Sequence, residues 1–315
     1  MEETKTQAYN TSFRDRDSFY ELGIIINALK ETDDRYALDH YSQMKIILDN
    51  GGYRNINKIA KGGSGIVVSA SKGNQQFALK STVKSPYNSN KQTPWQVLSE
   101  EASILEFLHK KQVPNLVNLH GLTLAFFDQF TGGFLELELC GGSAFDRNVY
   151  STPKLVTHTL KTLESLSYMH ELGLVHGDIK PSNILVNPSG DLRLIDLATA
   201  RKPLEEYSYS IFSKGFLAPE LFYTSMRTES GDVFSLAATI FEGVSGKGIR
   251  KNINPNQAFN PYNLYLSLRN PIARVSDKLE YAITSGLQSS NRPNLNEFRE
   301  LLLRVPEARD YTLVS

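Results

Sequence analysis

Leu174-Val175-His176-Gly177-Asp178-Ile179-Lys180-Pro181-Ser182-Asn183-Ile184-Leu185-Val186, followed after a Pro188-Ser189-Gly190-Asp191 turn by Leu194-Ile195-Asp196, decides the reading of this chain. Asp178, Asn183 and Asp196 are polar groups set between apolar runs that read as short strands. An isolated loop asparagine or aspartate is ordinarily a turn former. Three in this order within two short strands make a different set: a carboxylate able to orient and deprotonate a hydroxyl, plus oxygen ligands for the Mg²⁺ that bridges nucleotide phosphates.

Working toward the amino terminus, Ala60-Lys61-Gly62-Gly63-Ser64-Gly65-Ile66-Val67 puts glycines between two predicted strands. Bare backbone there could approach phosphates and donate N–H groups, although a glycine-rich hairpin is by itself more often only a turn. Phe77-Ala78-Leu79-Lys80 then ends the next strand on a lysine, and Glu101 lies on the helix that follows. Taken singly, Lys80 would be an exposed strand charge and Glu101 part of a solvated helix face. As a pair they can aim an ammonium at phosphates.

Together these segments resemble the eukaryotic-type protein kinases over roughly residues 53–304. The resemblance implies ATP and Mg²⁺ as cofactors. It implies a nucleotide site in which Ile59 and Val67 bracket the adenine and Lys80 holds the α- and β-phosphates. Glu101 would orient Lys80, Leu137 would be the gatekeeper, and Glu138 to Cys140 the hinge. The same site takes in Ala60, Gly62, Gly63, Ser64, Gly65, Ala78 and Leu185. Asp178 would be the catalytic base, Lys180 the residue steadying the γ-phosphate, and Asn183 and Asp196 the metal ligands. Farther on, Ala218-Pro219-Glu220 looks like the motif closing an activation segment, Asp232 like a buried helix aspartate, and Arg292 like the partner of Glu220. These brace the fold and do no chemistry.

Several positions depart from the family pattern. Gly177 stands where many members have arginine, which would remove one receptor for a phosphorylated activation loop and, by the resemblance, places the chain with the non-RD kinases. Asp196-Leu197-Ala198 replaces aspartate, phenylalanine and glycine. The metal ligand survives, while alanine disfavours the positive φ angles open to glycine, so flipping of this segment is expected to be restricted. Ala60 replaces the first loop glycine, and Phe212 and Phe216 stand where glycine and tyrosine are common. Ser213 and Lys180-Pro181 match kinases acting on aliphatic hydroxyls, which favours serine/threonine over tyrosine specificity. Tyr207, Ser208, Tyr209 and Ser210 are candidate modification sites, or simply polar loop residues.

The expected fold is α+β and bilobal. An N-lobe, about residues 53–139, is β-rich, with an Ile66–Val68 and Phe77–Leu79 hairpin turning at Lys72-Gly73-Asn74. It carries one helix with Leu98, Ala102, Leu105 and Leu108 on one side, and strands at 116–119 and 134–139. A C-lobe, about 143–304, carries helices near 155–171, 232–243, 277–286 and 295–303. Residues 1–52 read as a helical extension, since Phe19, Leu22, Ile26, Leu29 and then Ala37, Tyr41, Met44, Leu48 step by helical spacings up to a stop at Asn50-Gly51-Gly52. These stripes would cover the body of the protein, or serve as a partner or self-docking module. Residues 305–315 read as a short tail.

Composition excludes several classes. The formal net charge over 315 residues is zero, with no basic stripe, so nucleic acid is not an expected partner. No stretch approaches a membrane span, and the acidic, polar start lacks the form of a secretory signal. One cysteine, Cys140, fits a reducing compartment, hence an intracellular, cytoplasmic protein. The divergent motifs would also fit a bacterial kinase delivered into host cells. Two rivals remain to the protein-kinase reading. A small-molecule phosphotransferase is argued against by Ala218-Pro219-Glu220 and Arg292. A pseudokinase scaffold is argued against by the presence of every catalytic polar group.

With no arginine at position 177 to receive a phosphorylated loop, phosphatase-treated protein is expected to keep most of its phosphotransfer rate. A rate assay before and after dephosphorylation tests this, and a dead dephosphorylated form would refute it.

Overall fold

A computed structural model describes residues 7–11, 48, 51–62, 65–81, 94–127, 130–204, 215–221, 226–246, 275–309 and 311. They belong to two compact units, one formed by residues up to 107 together with 117–139, the other by 108–116 with 140 onward.

The first unit is an antiparallel sheet of β1 (Gln7–Thr11), β2 (Arg54–Gly62), β3 (Gly65–Lys72), β4 (Gln75–Ser81), β5 (Leu119–Phe127) and β6 (Phe130–Glu138), in the order β1-β5-β6-β4-β3-β2. One helix, α1 (Pro94–Lys110), interrupts it in sequence. The expected hairpin at 72–74 is present, with Lys72 opposite Gln75 and Gly73 at φ 59°. Because side chains alternate faces along a strand, this register sorts the sheet. Ile66, Val68, Ala70, Phe77, Leu79 and Phe134 share one face and form a buried cluster with Leu48 and Tyr53. Tyr53 packs edge-on to Phe77 and Phe134, its hydroxyl donates to the Glu136 carboxylate, and Lys72 Nζ lies 4.7 Å from its ring centre. Burial raises the pKa of the Glu136 carboxyl.

The extension differs from expectation. Its described strand, β1, adds to the edge of β5, where a wholly helical segment had been expected. Five mixed residues, Gln-Ala-Tyr-Asn-Thr, carry too little alternation to announce a strand. The stripes at 19–29 and 37–47 lie outside the described residues. Leu48 is helical, and its carbonyl accepts from the Tyr53 amide at 2.9 Å across Gly52 at φ 78°. That is the Schellman ending, in which the residues flanking the turn also touch through their side chains. Hence Leu48 and Tyr53 enter the core as a pair.

The strand expected at 116–119 is displaced: β5 runs from Leu119, while Leu116 belongs to the second unit and bridges Leu194 within it. β5 and β6 are separated in sequence by Asp128-Gln129, which lacks the glycine or asparagine that marks a two-residue hairpin.

The second unit is helical: α2 (Thr152–Glu171), α3 (Glu229–Ser245), α4 (Asp277–Gly286) and α5 (Leu295–Leu303), with a small ladder of β7 (Ile184–Val186) and β8 (Leu192–Leu194). Local chemistry sets the helix starts. Thr228 accepts from Gly231 N, Ser276 from Leu279 N, and Asn294 with Glu297 closes a capping box. α3 is buried nearly all round and is apolar to match, from Val233 and Phe234 to Val244. His158 on α2 is pressed into this core against Phe145 and Tyr150. Desolvation lowers its pKa to about 4 although Ala144 O accepts from its ring at 2.7 Å. Part of the segment read as a tail is docked: Glu307 receives Ser276 N and Oγ at 2.8 Å each, and Tyr311 OH donates to Glu164.

Leu48 is 1% exposed within the sheet cluster, so Leu48→Ala should cost about 2–5 kcal/mol, the usual range for emptying such a site. Chemical denaturation of the full chain reads this out, and wild-type stability would mean that this stretch of the extension is not part of the core.

Candidate active site

In the first unit, Val67 pairs with Lys80 and Ala60, Lys80 with Leu135, and Ala78 with Leu137. These residues therefore lie on the sheet face opposite the Tyr53 cluster. Ile59 sits at a register shift between Lys58 and Ala60, and it is 51% exposed where an ordinary strand would bury it. Gly62 faces Gly65 across the ladder; Gly63 and Ser64 lie outside the described residues. Lys80 Nζ reaches both carboxylate oxygens of Glu101, at 2.8 and 2.6 Å. Glu101 is 1% exposed, on the inward stripe of α1 with Leu98, Ala102 and Leu105, so it is no solvated surface charge. Taking two charges out of water costs several kcal/mol each, and their close pairing is what makes that burial tolerable. Glu138, at the end of β6, is tied back by Asn118 Nδ2 at 3.0 Å.

In the second unit, α2 delivers the chain into the loop 175–183. Asp232, on α3, sits beneath it: Oδ1 accepts from Gly177 N at 2.9 Å, and Oδ2 from His176 N at 2.8 Å and His170 Nε2 at 3.0 Å. Burial pushes the Asp232 carboxyl up, but the His170 hydrogen bond, the adjacent imidazoles and the Gly177 amide outweigh it and hold the group below its usual range. His176 is driven the other way: desolvation lowers its pKa despite the nearby aspartates, so the ring is neutral and Nε2 serves Ile195 O at 3.2 Å.

Above this base, Asp178 Oδ2 accepts from Lys180 Nζ at 2.6 Å and from Asn183 Nδ2 at 3.0 Å. The Asn183 amide also donates to Asp178 O at 2.8 Å, so Nδ2 is committed to Asp178. Asp196 sits at φ 63°, ψ 66°, a left-handed conformation that a non-glycine residue adopts only when its surroundings impose it. Asn183 O accepts from Ile195 N at 2.9 Å, which ties the residue before Asp196 to Asn183. An amide oxygen and a carboxylate are the hard donors Mg²⁺ takes, so Asn183 and Asp196 fit that role chemically. Leu185 is half-buried on β7, bridged to Ser143, and Cys140 is half-exposed.

Outside the chemistry, Arg292 Nη1 meets Glu220 Oε1 at 2.5 Å. Ser213 and the 207–210 positions lie outside the described residues. Four supports escaped the sequence reading: Ser143 Oγ donating to Pro181 O at 2.6 Å, Thr199 Oγ1 donating to His176 O at 2.8 Å, the Asn118–Glu138 tie, and Arg227 packed against Gly177. Each joins residues remote in sequence by a common side chain, and spacing carries no signal for that.

A family model described as the protein kinase domain matches residues 53–304. Similar proteins include the serine/threonine-protein kinase shk1/pak1 of Schizosaccharomyces pombe, 29% identical over 65% of this chain and 31% of that protein. A probable serine/threonine-protein kinase pknA2 of Bifidobacterium longum is 27% identical over 65% of this chain and 28% of its own length. The serine/threonine-protein kinase PknA of Mycobacterium tuberculosis is 28% identical over 63% and 48%. The chain thus spans between 28% and 48% of the length of these relatives.

Lys80→Met leaves Glu101 buried without its cation and should destabilise the protein by about 3–5 kcal/mol, a loss that Lys80→Met/Glu101→Leu largely recovers. Melting of both variants checks this, and equal stability of single and double variants would contradict it.

Proposed function

The chain belongs to the protein kinase domain family, and from that premise we propose that it transfers the γ-phosphate of ATP to serine or threonine hydroxyls of protein substrates, with Asp178 as base. The observation that carries this reading is the Asp178 carboxylate flanked by Lys180 Nζ at 2.6 Å and Asn183 Nδ2 at 3.0 Å on a loop anchored from below by Asp232. The names of the similar proteins point to the same acceptor class.

The transfer balances simply. The acceptor oxygen forms a bond to the γ-phosphorus while the bond from that phosphorus to the β,γ-bridging oxygen breaks, and ADP leaves. Asp178 accepts a hydrogen bond from the acceptor hydroxyl, aims its lone pair, and takes its proton as the new bond forms. Asn183 fixes the carboxylate so that one rotamer serves this task. Lys180, already beside Asp178, lies within reach of a phosphoryl group bound there and would offset charge on its oxygens. Lys80, aimed by Glu101, holds the α- and β-phosphates, while the face carrying Val67, Ala78 and Leu137 offers the adenine an apolar surface. Asn183 and Asp196 would hold Mg²⁺, which would supply positive charge to offset that of the phosphates. Loss of turnover with retained nucleotide binding would leave the scaffold reading.

None of the helices among the described residues is long and apolar enough to cross a membrane; we place the protein's action inside a cell, on protein substrates.

Asp178→Asn keeps the shape and removes the base, and it should lower phosphotransfer from Mg-ATP about 10²–10⁴-fold. Labelled γ-phosphate transfer to a generic protein acceptor, followed by phosphoamino-acid analysis, should give phosphoserine or phosphothreonine that the variant abolishes. Phosphotyrosine alone would overturn the specificity, and transfer unaffected by the variant would overturn the mechanism.

A further inference from the structure

Gly177 adopts φ 78° directly before Asp178, and the space beside it is occupied. A methyl group on Gly177 would lie 2.7 Å from Arg227 Nε, 2.9 Å from its Cδ and 3.2 Å from its Cγ. Arg227 is 1% exposed, the largest fully buried side chain among the described residues, so its stem and guanidinium fill the hollow that the missing side chain leaves. Its backbone serves a second purpose. Arg227 O accepts from Leu204 N at 2.9 Å, and Leu204 is itself in the left-handed region at φ 64°. Leu204 closely follows the Val175–Arg201 bridge that pins the chain leaving the site to the strand entering it. The next residue, Thr228, caps α3, the helix that carries Asp232 and through it the amides of His176 and Gly177.

Arg227 therefore stands where three things meet: the glycine next to Asp178, the segment running out from Asp196, and the start of α3. A guanidinium is buried only where its hydrogen bonds are met, so such a residue is not neutral filler. We infer that Arg227 is a positioning residue for the catalytic loop. It packs against Gly177 where a Cβ would otherwise project, keeps Gly177 in its left-handed conformation, and makes the aim of the Asp178 carboxylate depend on how residues 201–204 and 226–228 are closed upon each other. The inference rests on the kinase reading of Asp178, but its structural half does not need turnover.

The test is Arg227→Met, which retains a long flexible stem without the planar charged end, with Arg227→Lys as conservative partner. Three readouts are needed: kcat and KM for Mg-ATP, melting temperature, and amide hydrogen exchange over residues 174–180. Arg227→Met should lower kcat by about 10²-fold, as expected for a slight misplacement of a reacting group. KM for ATP should stay near wild type, and exchange at Gly177 and Asp178 should quicken while the helices keep their protection. Arg227→Lys should regain part of the rate. Wild-type kcat and wild-type exchange in Arg227→Met would overturn the inference with the kinase reading intact. A wild-type protein without turnover would remove the kinase reading and leave exchange to decide the role of Arg227. If Arg227→Met fails to fold, Gly177→Ala decides. Its methyl meets Arg227, so its effect on exchange should be clearly smaller in an Arg227→Ala background than alone, and strictly additive effects would overturn the contact.

Discussion

A carboxylate sealed inside a protein must be given hydrogen bonds or it will not stay charged, and Asp232 is supplied from two directions. His170 comes from the end of α2, and the amides of His176 and Gly177 come from the loop that follows it. Each donor is fixed to the carboxylate on α3, and since α3 is buried nearly all round, it cannot shift to suit the loop. The loop must fit the helix. This is why Asp178, whose carboxylate has no backbone tie of its own in these contacts, still has a defined place. The constraint also explains the neutral His176: with Asp232 already satisfied by backbone, the imidazole is left to bridge Asp178 N and Ile195 O, tasks that need one acceptor and one donor nitrogen.

The sheet solves a parallel problem by register. Each face has its own task, and a slip of one residue would exchange them, sending Lys80 into the Tyr53–Phe77–Phe134 cluster and Leu79 out toward Glu101. Two devices hold the register. The Lys72–Gln75 hairpin joins β3 to β4 with a two-residue turn, and the cluster beneath, closed by Leu48 and Tyr53, makes the alternative costly. Leu48, which precedes residue 53 in the extension, thereby contributes to the placement of Lys80. Of the apolar stripes in the extension, Leu48 is the residue that is described, and it is buried in this cluster.

The proposed site was legible because it is local. Asp178, Lys180 and Asn183 lie within six residues, Lys80 ends a clear strand, and Asp277–Gly286 and Leu295–Leu303 begin and end where the helical spacing put them. What stayed hidden depends on partners far along the chain. Glu101 falls on the inward stripe of α1 yet is charged, and partners distant in sequence, Lys80 among them, allow its burial. β1 has no pattern of its own and exists as a strand by virtue of the β5 edge. Gly177 could be read in sequence as the loss of an arginine, but not as the site against which another arginine, fifty residues on, would pack. The displaced start of β5 has the same origin, since Leu116 is drawn to Leu194 by a contact no window around it contains.

The residues after Asp196 illustrate how strain and support are matched. Alanine at 198, where glycine is usual in the family resemblance, argued for a segment reluctant to flip. The left-handed residue is in fact Asp196, while Leu197–Thr199 forms a single tight turn with Leu197 and Ala198 buried. Holding an aspartate at φ 63° costs about 1–3 kcal/mol, and that cost is met by contacts on either side. Ile195 N donates to Asn183 O before it, and Thr199 Oγ1 donates to His176 O after it, with Ala200 N closing the turn on Leu197 O. Any rotation that relaxed Asp196 would break the Thr199 bond and leave a buried hydroxyl and the His176 carbonyl unmatched, at about 1–3 kcal/mol for each group so stranded. Thr199, one residue beyond Ala198, thus supplies a second argument for the same restriction. It ties the orientation of Asp196 to the same His176 that Asp232 holds, so that the proposed metal ligand and the proposed base are set by one buried carboxylate.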